Sequence, residues 1–160
     1  MIRTGIGYDV HQLVKGEKLV VGSVEIVSSI GSLGHSDGDA LIHSICDALL
    51  GAANLGDLGH FFPSEDVKWK DSESVYFLKD VISKIENKGF TINNIDATVI
   101  LEKPKLGNYI PSIKKKLSGI TNLNASQISI KATTTDKLGF IGRESGWAVL
   151  AIATITDNNE

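Results

Sequence analysis

Residues 147–155, WAVLAIATI, are apolar at both parities of a strand. Trp147, Val149, Ala151 and Ala153 would share one face, and Ala148, Leu150 and Ile152 the other. A strand with one solvated face alternates apolar and polar residues. This one does not, so both of its faces must be covered. Helices can cover one. A second copy of the chain is the simplest cover for the other, and the strand therefore predicts a homo-oligomer.

The remaining segments supply the helices and strands that such a sheet needs. IRTGIGYDVHQL (2–13) and KLVVGSVEIV (18–27) read as strands, β-branched, alternating and punctuated by Gly and charge. SDGDALIHSICDALLGAANLG (36–56) predicts a helix with an apolar stripe of Leu41, Ile42, Ile45, Leu49 and Leu50. Ser36 or Asp37 would cap it and Gly56 would end it. DSESVYFLKDVISKIENKGF (71–90) predicts a second helix, with Val75, Leu78, Val81, Ile82 and Ile85 inward. Ser72 is its expected cap, Lys84 and Lys88 fall in its last turn, and Gly89 closes it. TINNIDATVILEK is a strand, YIPSIKKKLSGI a shorter helix, ISIKATTT a strand, and DKLGFIGRESG a Gly-rich connection. The order β-β-α-α-β-α-β-loop-β predicts an α+β fold over residues 1–160 as one domain. Helices would pack on one face of a mixed sheet, leaving the other face for a second subunit.

Composition narrows the class. Of 160 residues, 42% are hydrophobic, enough for one core. The 16 glycines exceed the usual ~7% and prolines number only three, which argues for tight turns and close backbone approaches. A formal charge of −3 gives no basic footprint for nucleic acid. The run Lys114, Lys115 and Lys116 reads as a solvated helix face. A single cysteine, Cys46, excludes an internal disulfide and reads as a buried small hydrophobe. No stretch approaches the ~20 apolar residues of a spanning helix, and MIRTGIGYDV does not resemble a secretory signal. The expectation is a cytoplasmic protein with no membrane or nucleic-acid partner.

Three groups of residues could do chemistry. In GYDVHQL, Asp9 and His11 lie two apart on a strand and project together. Asp39, His43 and Asp47, at i, i+4 and i+8, share a helical face. Two His and one carboxylate make a common catalytic zinc set with an open fourth position, and Asp47 could then support a ligand or touch substrate. The opposing reading is that Asp9 and His11 are unrelated polar residues and His43 a satisfied buried histidine; the residues alone leave both open. In GHSDGD, His35 and Ser36 precede a helix start that favours anions, or Ser36 and Asp37 merely cap it. In KATTTDKLGFIGR, Thr133, Thr134 and Thr135 leave a strand where hydroxyls and backbone N–H groups can hold phosphate, and Asp136 can hold a hard cation. Alternatively, Thr is simply a good strand former. No G-x-x-x-x-G-K-[ST], H-E-x-x-H or G-x-S-x-G pattern occurs, and GIGYDV is not a dinucleotide fingerprint.

Read together, GYDVHQL, GHSDGDALIHSICDALLGAANLGDLGHFFPSED, LEKPKLGNYIP and KATTTDKLGFIGR resemble, in that order and over nearly the whole chain, the 2-C-methyl-D-erythritol 2,4-cyclodiphosphate synthases of non-mevalonate isoprenoid biosynthesis. The resemblance implies a homotrimer with active sites between subunits. It implies zinc, or another divalent transition metal, on Asp9, His11 and His43, and Mg²⁺ or Mn²⁺ at Asp136. It implies transition-state stabilisation by His35 and Thr134. Ser36, Asp47, Asp57, Leu58, Gly59, Phe62, Pro63, Ser64, Glu65 and Asp66 would bind the methylerythritol part. Leu101, Glu102, Lys103, Pro104, Lys105, Leu106 and Gly107, with Thr133 and Thr135, would bind the cytidine diphosphate part. Phe140 and Arg143 would line a cavity on the trimer axis that could take an isoprenoid diphosphate. The chain departs from the family pattern at Asp136, where Glu is usual, at Ser145, where GRESG replaces G-R-x-E-G, and in FPSED, where FPDTD is usual.

The implied reaction is intramolecular: the 2-phosphate of 4-diphosphocytidyl-2-C-methyl-D-erythritol 2-phosphate attacks the β-phosphorus and CMP leaves. Two other readings predict different behaviour. A zinc hydrolase would add water across an ester or amide, with Asp47 as the base, and a metal-stapled binding trimer would turn nothing over.

Overall fold

The computed structural model describes residues 1–34, 36–63, 65–69 and 72–158. A five-stranded sheet carries the helices on one face, in the spatial order β4 (Ile30–Leu33), β1 (Ile2–Lys15), β7 (Gly146–Asp157), β5 (Phe90–Ile100) and β6 (Ile128–Thr133). The central strand, β7, is the doubly apolar segment. It runs antiparallel to both β1 and β5, while β6 lies parallel to β5. Helices α1 (Ala40–Ala52), α3 (Ser74–Asn87) and α4 (Ile110–Thr121) form the covering layer, and α1 lies directly on β1 and β7. No described helix is long and apolar enough to cross a membrane.

The inward face of β7 is sealed: Trp147, Val149, Ala151, Ala153 and Ile155 are fully buried. Its outward face is not. Leu150 and Ile152 are each 39% exposed, and the register sets Tyr8 and Ile6 of β1 beside them. Tyr8 is 55% and Ile6 64% exposed, so one chain by itself leaves an apolar stripe in water. Cys46 is fully buried in α1, as expected of a small hydrophobe.

Several local expectations change. KLVVGSVEIV is not one strand but a hairpin of β2 (Leu19–Val21) and β3 (Val24–Ile26). Its turn residues, Gly22 and Ser23, both take a φ of 60°, the two-residue turn whose twist suits a hairpin. Strand β4 escapes sequence reading because IGSL is short and half small residues; pairing with β1 specifies it, and the buried Trp147 Nε1 donates to Ser32 Oγ at 2.9 Å. The connection after Asp57 and the Gly-rich stretch after Asp136 each contain one helical turn, α2 (Leu58–Phe61) and α5 (Gly139–Gly142). Helix α1 ends at Ala52 rather than Gly56, and α3 starts at Ser74, so Ser72 does not cap it.

The cap of α1 is Asp39, not Ser36 or Asp37. Asp39 Oδ1 accepts from Leu41 N and Ile42 N at 3.1 Å and from Gly22 N at 3.0 Å. Oδ2 accepts from Ser23 N at 2.7 Å. One buried carboxylate thus starts α1 and holds the β2–β3 turn against it. Burial pushes this carboxyl from the ordinary 3.8 up to about 6, against the pull of the Ser23 and Gly22 N–H groups, and the nearby Asp37 charge adds to the rise. A raised folded pKa favours the fold most in acid. That contribution falls away as pH rises from 3.8 through about 6. Asp39→Asn keeps one acceptor oxygen but turns an NH₂ toward a backbone N–H. The expected cost is about 1–3 kcal/mol at neutral pH, with a flatter stability profile across that acid window. Urea midpoints over the range check this, and equal pH slopes in both proteins would exclude Asp39 as the source.

Candidate active site

Two glycines bring the site together. Gly5 and Gly7 lie on the helix-facing side of β1, in phase with Asp9 and His11. A Cβ on Gly7 would sit 1.9 Å from the Ser44 carbonyl oxygen, and one on Gly5 would sit 2.0 Å from that of Ala48. Without side chains there, α1 settles directly onto the β1 backbone. Ser44 Oγ pins it by donating to the Val149 carbonyl at 3.1 Å. His43, next to Ser44, is thereby carried onto Asp9 and His11. The sequence reading placed these three residues on a strand and a helix without this reason for their meeting.

Asp9 Oδ2 lies 3.0 Å from His11 Nδ1 and 3.1 Å from His43 Nδ1. Ligand atoms of all three residues lie within 4.8 Å of one another, and no other such group of His, Cys, Asp or Glu occurs among the described residues. His11 Nδ1 is buried and, despite its closeness to Asp9, is not aligned for a hydrogen bond. A buried nitrogen without a hydrogen-bond partner beside a carboxylate and a second imidazole suits a cation better than a closed polar network. Two imidazoles and one carboxylate match zinc and its transition-metal neighbours, leaving a coordination position for something else. Burial works to raise the Asp9 carboxyl, but the adjoining His11 and His43 imidazoles outweigh it and hold the group well below the usual carboxylate range. Burial also opposes the His43 cation, yet Asp9, with help from Asp39 and Asp37, moves its pKa above the ordinary value.

A cavity of about 240 Å³ opens beside the triad, lined by His11, Ser36, His43, Leu58, Gly59, Phe62, Trp69 and Phe77. Of the expected substrate-binding residues, Ser36, Leu58, Gly59 and Phe62 line it. Asp47 does not; its Oδ1 accepts from Leu58 N at 2.7 Å, so it holds the Leu58–Gly59 wall in place. Burial raises its pKa. Asp57 caps α2 through His60 N, and Asp66 Oδ1 accepts from Lys68 N. Pro63, Glu65 and Asp66 lie along the adjoining loop without lining the cavity, while His35 and Ser64 fall outside the described residues. Sequence reading missed the aromatic wall. The Phe62 and Phe77 rings pack at a 42° tilt with centroids 4.6 Å apart, and Phe62 meets Trp69 edge-on at 5.0 Å. Phe77 passes in sequence for ordinary helix core. His60 is exposed, as a surface residue should be.

A second cavity, of about 340 Å³, is lined by Leu101, Glu102, Pro104, Lys105, Leu106, Gly107, Ile110, Ala132, Thr133 and Thr134. The predicted LEKPKLG and Thr segments therefore meet. Glu102 Oε2 accepts from Thr135 N and Lys137 N, both at 3.4 Å, and Thr134 Oγ1 donates to Asp136 Oδ1 at 3.4 Å. Lys103 pairs with Glu144 at 3.0 Å. Phe140 and Arg143 are exposed at and just after α5.

The two cavities belong to different strands of the sheet. Asp9 is level with Val149, Val99 and Ala132 across β1, β7, β5 and β6. Three inter-strand spacings, about 14 Å, separate the triad from the Thr segment.

The YgbB family profile matches residues 2–156. A 2-C-methyl-D-erythritol 2,4-cyclodiphosphate synthase of Clostridium acetobutylicum is 52% identical over 145 residues, covering 91% of this chain and 94% of that one. One from Listeria monocytogenes is 46% identical, covering 97% and 99%. Among solved structures, the bifunctional IspDF of Campylobacter jejuni superimposes with a TM-score of 0.95 at 40% identity, covering all of this chain and 44% of that one. A 2C-methyl-D-erythritol-2,4-cyclodiphosphate synthase in a CDP-bound form superimposes with a TM-score of 0.89 at 32% identity, covering 96% and 100%. Matched from end to end by these enzymes and carrying their ordered motifs, the chain belongs to the YgbB family, the 2-C-methyl-D-erythritol 2,4-cyclodiphosphate synthases.

Proposed function

We propose that this chain converts 4-diphosphocytidyl-2-C-methyl-D-erythritol 2-phosphate into 2-C-methyl-D-erythritol 2,4-cyclodiphosphate and CMP. The observation that carries the reading is the convergence of Asp9, His11 and His43 beside a cavity in a chain of this family. A 2-phosphate oxygen forms a bond to the β-phosphorus, the bond from that phosphorus to the oxygen bridging to the α-phosphorus breaks, and CMP leaves with the electron pair. No water is added. The nucleophile is already an anion near neutral pH, so the obstacles are repulsion between phosphates and the entropy of ring closure.

Asp9, His11 and His43 would hold a divalent transition metal and Asp136 an Mg²⁺ or Mn²⁺, supplying positive charge against the crowded phosphate oxygens. The protein's own groups do the positioning. Lys105 and the Thr133–Thr135 hydroxyls and backbone suit the diphosphate, with the Leu101–Gly107 loop around the cytosine end. Phe62, Trp69 and Phe77 wall the triad cavity, and Asp47 fixes the Leu58–Gly59 edge against which the methylerythritol part lies. His35 and Thr134 take the transition-state role that the family resemblance assigns them. Cytoplasmic operation belongs to the same reading, since the chain's lone cysteine needs no oxidising compartment.

The reading includes a homotrimer. About 14 Å between the two halves within one chain, and an apolar stripe of Ile6, Tyr8, Leu150 and Ile152 in water, both support joining the triad of one copy to the nucleotide pocket of a neighbour. Phe140 and Arg143 would then face the axis, where an isoprenoid diphosphate could bind. Sedimentation velocity tests the assembly: three chain masses are expected, and a monomer at catalytic concentrations would overturn it.

Phosphorus NMR of turnover, with and without a chelator, tests the activity. CMP and a cyclic diphosphate, both abolished by chelation and restored by added metal, are expected. CMP with a linear product would mean hydrolysis, and no reaction with metal bound would mean a binding trimer.

A further inference from the structure

We propose that Ser74 and Asp37 act as a relay that orients His43, so that docking of α3 onto the start of α1 sets how tightly the triad holds its metal. The inference rests on the metal reading of the triad. Its basis is one chain of contacts. The two ring nitrogens of His43 face opposite ways: Nδ1 lies 3.1 Å from Asp9 Oδ2, and Nε2 lies 3.0 Å from Ser74 Oγ. Ser74 Oγ also donates to Asp37 Oδ1. Asp37 Oδ2 accepts the backbone N–H of Ser74 at 3.0 Å.

The donor and acceptor inventory leaves one assignment. An ionised carboxylate only accepts, so the single hydroxyl proton of Ser74 goes to Asp37. The Ser74 oxygen then offers His43 a lone pair, and Nε2 must carry a proton to use it. With Nε2 protonated, Nδ1 is the nitrogen free to give its lone pair to a metal beside Asp9 and His11. The relay therefore selects the ligating tautomer and fixes the ring plane, as outer hydrogen bonds do for metal-bound histidines generally. Ser74 is fully buried, so no water competes for the bond. Among the described residues, Nε2 has one further hydrogen-bond contact, with Ser36 Oγ at 3.4 Å.

The same contact also caps a helix. The N-cap residue of α3, Glu73, makes no side-chain cap bond; Asp37, from the segment before α1, accepts the N–H of Ser74 instead. A capping role and an orienting role make different predictions. Ser74→Ala keeps the backbone N–H that Asp37 accepts but removes the hydroxyl that His43 needs.

The test uses the full-length chain stripped of metal, with Zn²⁺ titrated against a chromophoric chelator and Co²⁺ absorption reporting ligand geometry. Ser74→Ala is expected to weaken Zn²⁺ binding 10–100-fold and to alter the Co²⁺ spectrum, with the urea midpoint of the metal-free protein close to wild type. Ser74→Thr, which keeps the hydroxyl, is expected to recover most of the affinity. Wild-type affinity and an unchanged Co²⁺ spectrum in Ser74→Ala would reduce the contact to a helix cap and overturn the relay. Should Ser74→Ala lose its fold, Asp37→Asn decides: a several-fold loss of affinity supports the relay, and none overturns it. Failure of the wild-type chain to bind Zn²⁺ would instead overturn the metal reading, and the relay with it.

Discussion

His43→Ala is expected to abolish tight metal binding and to lower turnover on the order of 10³-fold or more. Several kcal/mol of charge stabilisation at a phosphoryl group is at stake, at about 1.4 kcal/mol per tenfold. The triad has only three ligands, and removing one leaves Asp9 and His11 on a single strand, unable to enclose an ion. The fold should survive. His43 sits at the edge of the α1 core, and Leu41, Ile42 and Ile45, which hold α1 against the sheet, are untouched and fully buried. The measurement is a metal titration beside single-turnover kinetics and a urea melt. Near-wild-type turnover from a stably folded variant would remove His43 from the site. Unfolding of the metal-free variant would mean that His43 is chiefly a packing residue.

Gly7→Ala is expected to damage the site from a distance. The new methyl would be driven to 1.9 Å from the Ser44 carbonyl oxygen and 2.9 Å from Ala48 N, both backbone atoms of α1. A side chain could rotate away; a helix backbone cannot. Either α1 rises off β1, breaking the Ser44–Val149 bond, or β1 buckles. Overpacking of this kind costs about 3 kcal/mol or more, which in a domain of this size lowers Tm by roughly 10 °C. The same displacement moves His43 away from Asp9 and His11, so metal affinity should fall even where the protein remains folded. Calorimetry and Zn²⁺ titration of one preparation test both parts. A variant that melts and binds as wild type would show that the close helix–strand approach does not set the geometry of the triad.

Much of the candidate site was legible because its residues fall into local patterns. Asp9 and His11 project together because strand side chains alternate, and His43 lies on a helix whose stripe of Leu41, Ile42 and Ile45 marks its buried face. The LEKPKLG and Thr segments meet in one cavity. Where a partner came from far along the chain, local pattern misled. Asp39 caps α1 because it also has the β2–β3 turn to hold, and neither bond is visible in the spacing of SDGD. Helix α3 has an N–H taken by Asp37, 37 residues earlier in the chain, so the nearby Ser72 was the wrong choice. Strand β4 exists only because β1 offers it an edge. Asp47 was expected to support a ligand or touch substrate, and its bond to Leu58 N is one that the spacing of α1 does not show.

By itself, the order of residues determined the α+β class, the doubly apolar character of the last strand and the identity of the three possible metal ligands. Each of these follows from periodicity and residue chemistry, which act over a turn or two of chain. Only the tertiary structure decided that Gly5 and Gly7 admit α1 to the β1 backbone, that Ser74 and Asp37 back His43, and that the triad and the LEKPKLG–Thr cavity stand about three strands apart. Those are relations between elements distant in sequence, and they exist only once the chain has folded and each close approach has been tested against the volume of the side chains in its way.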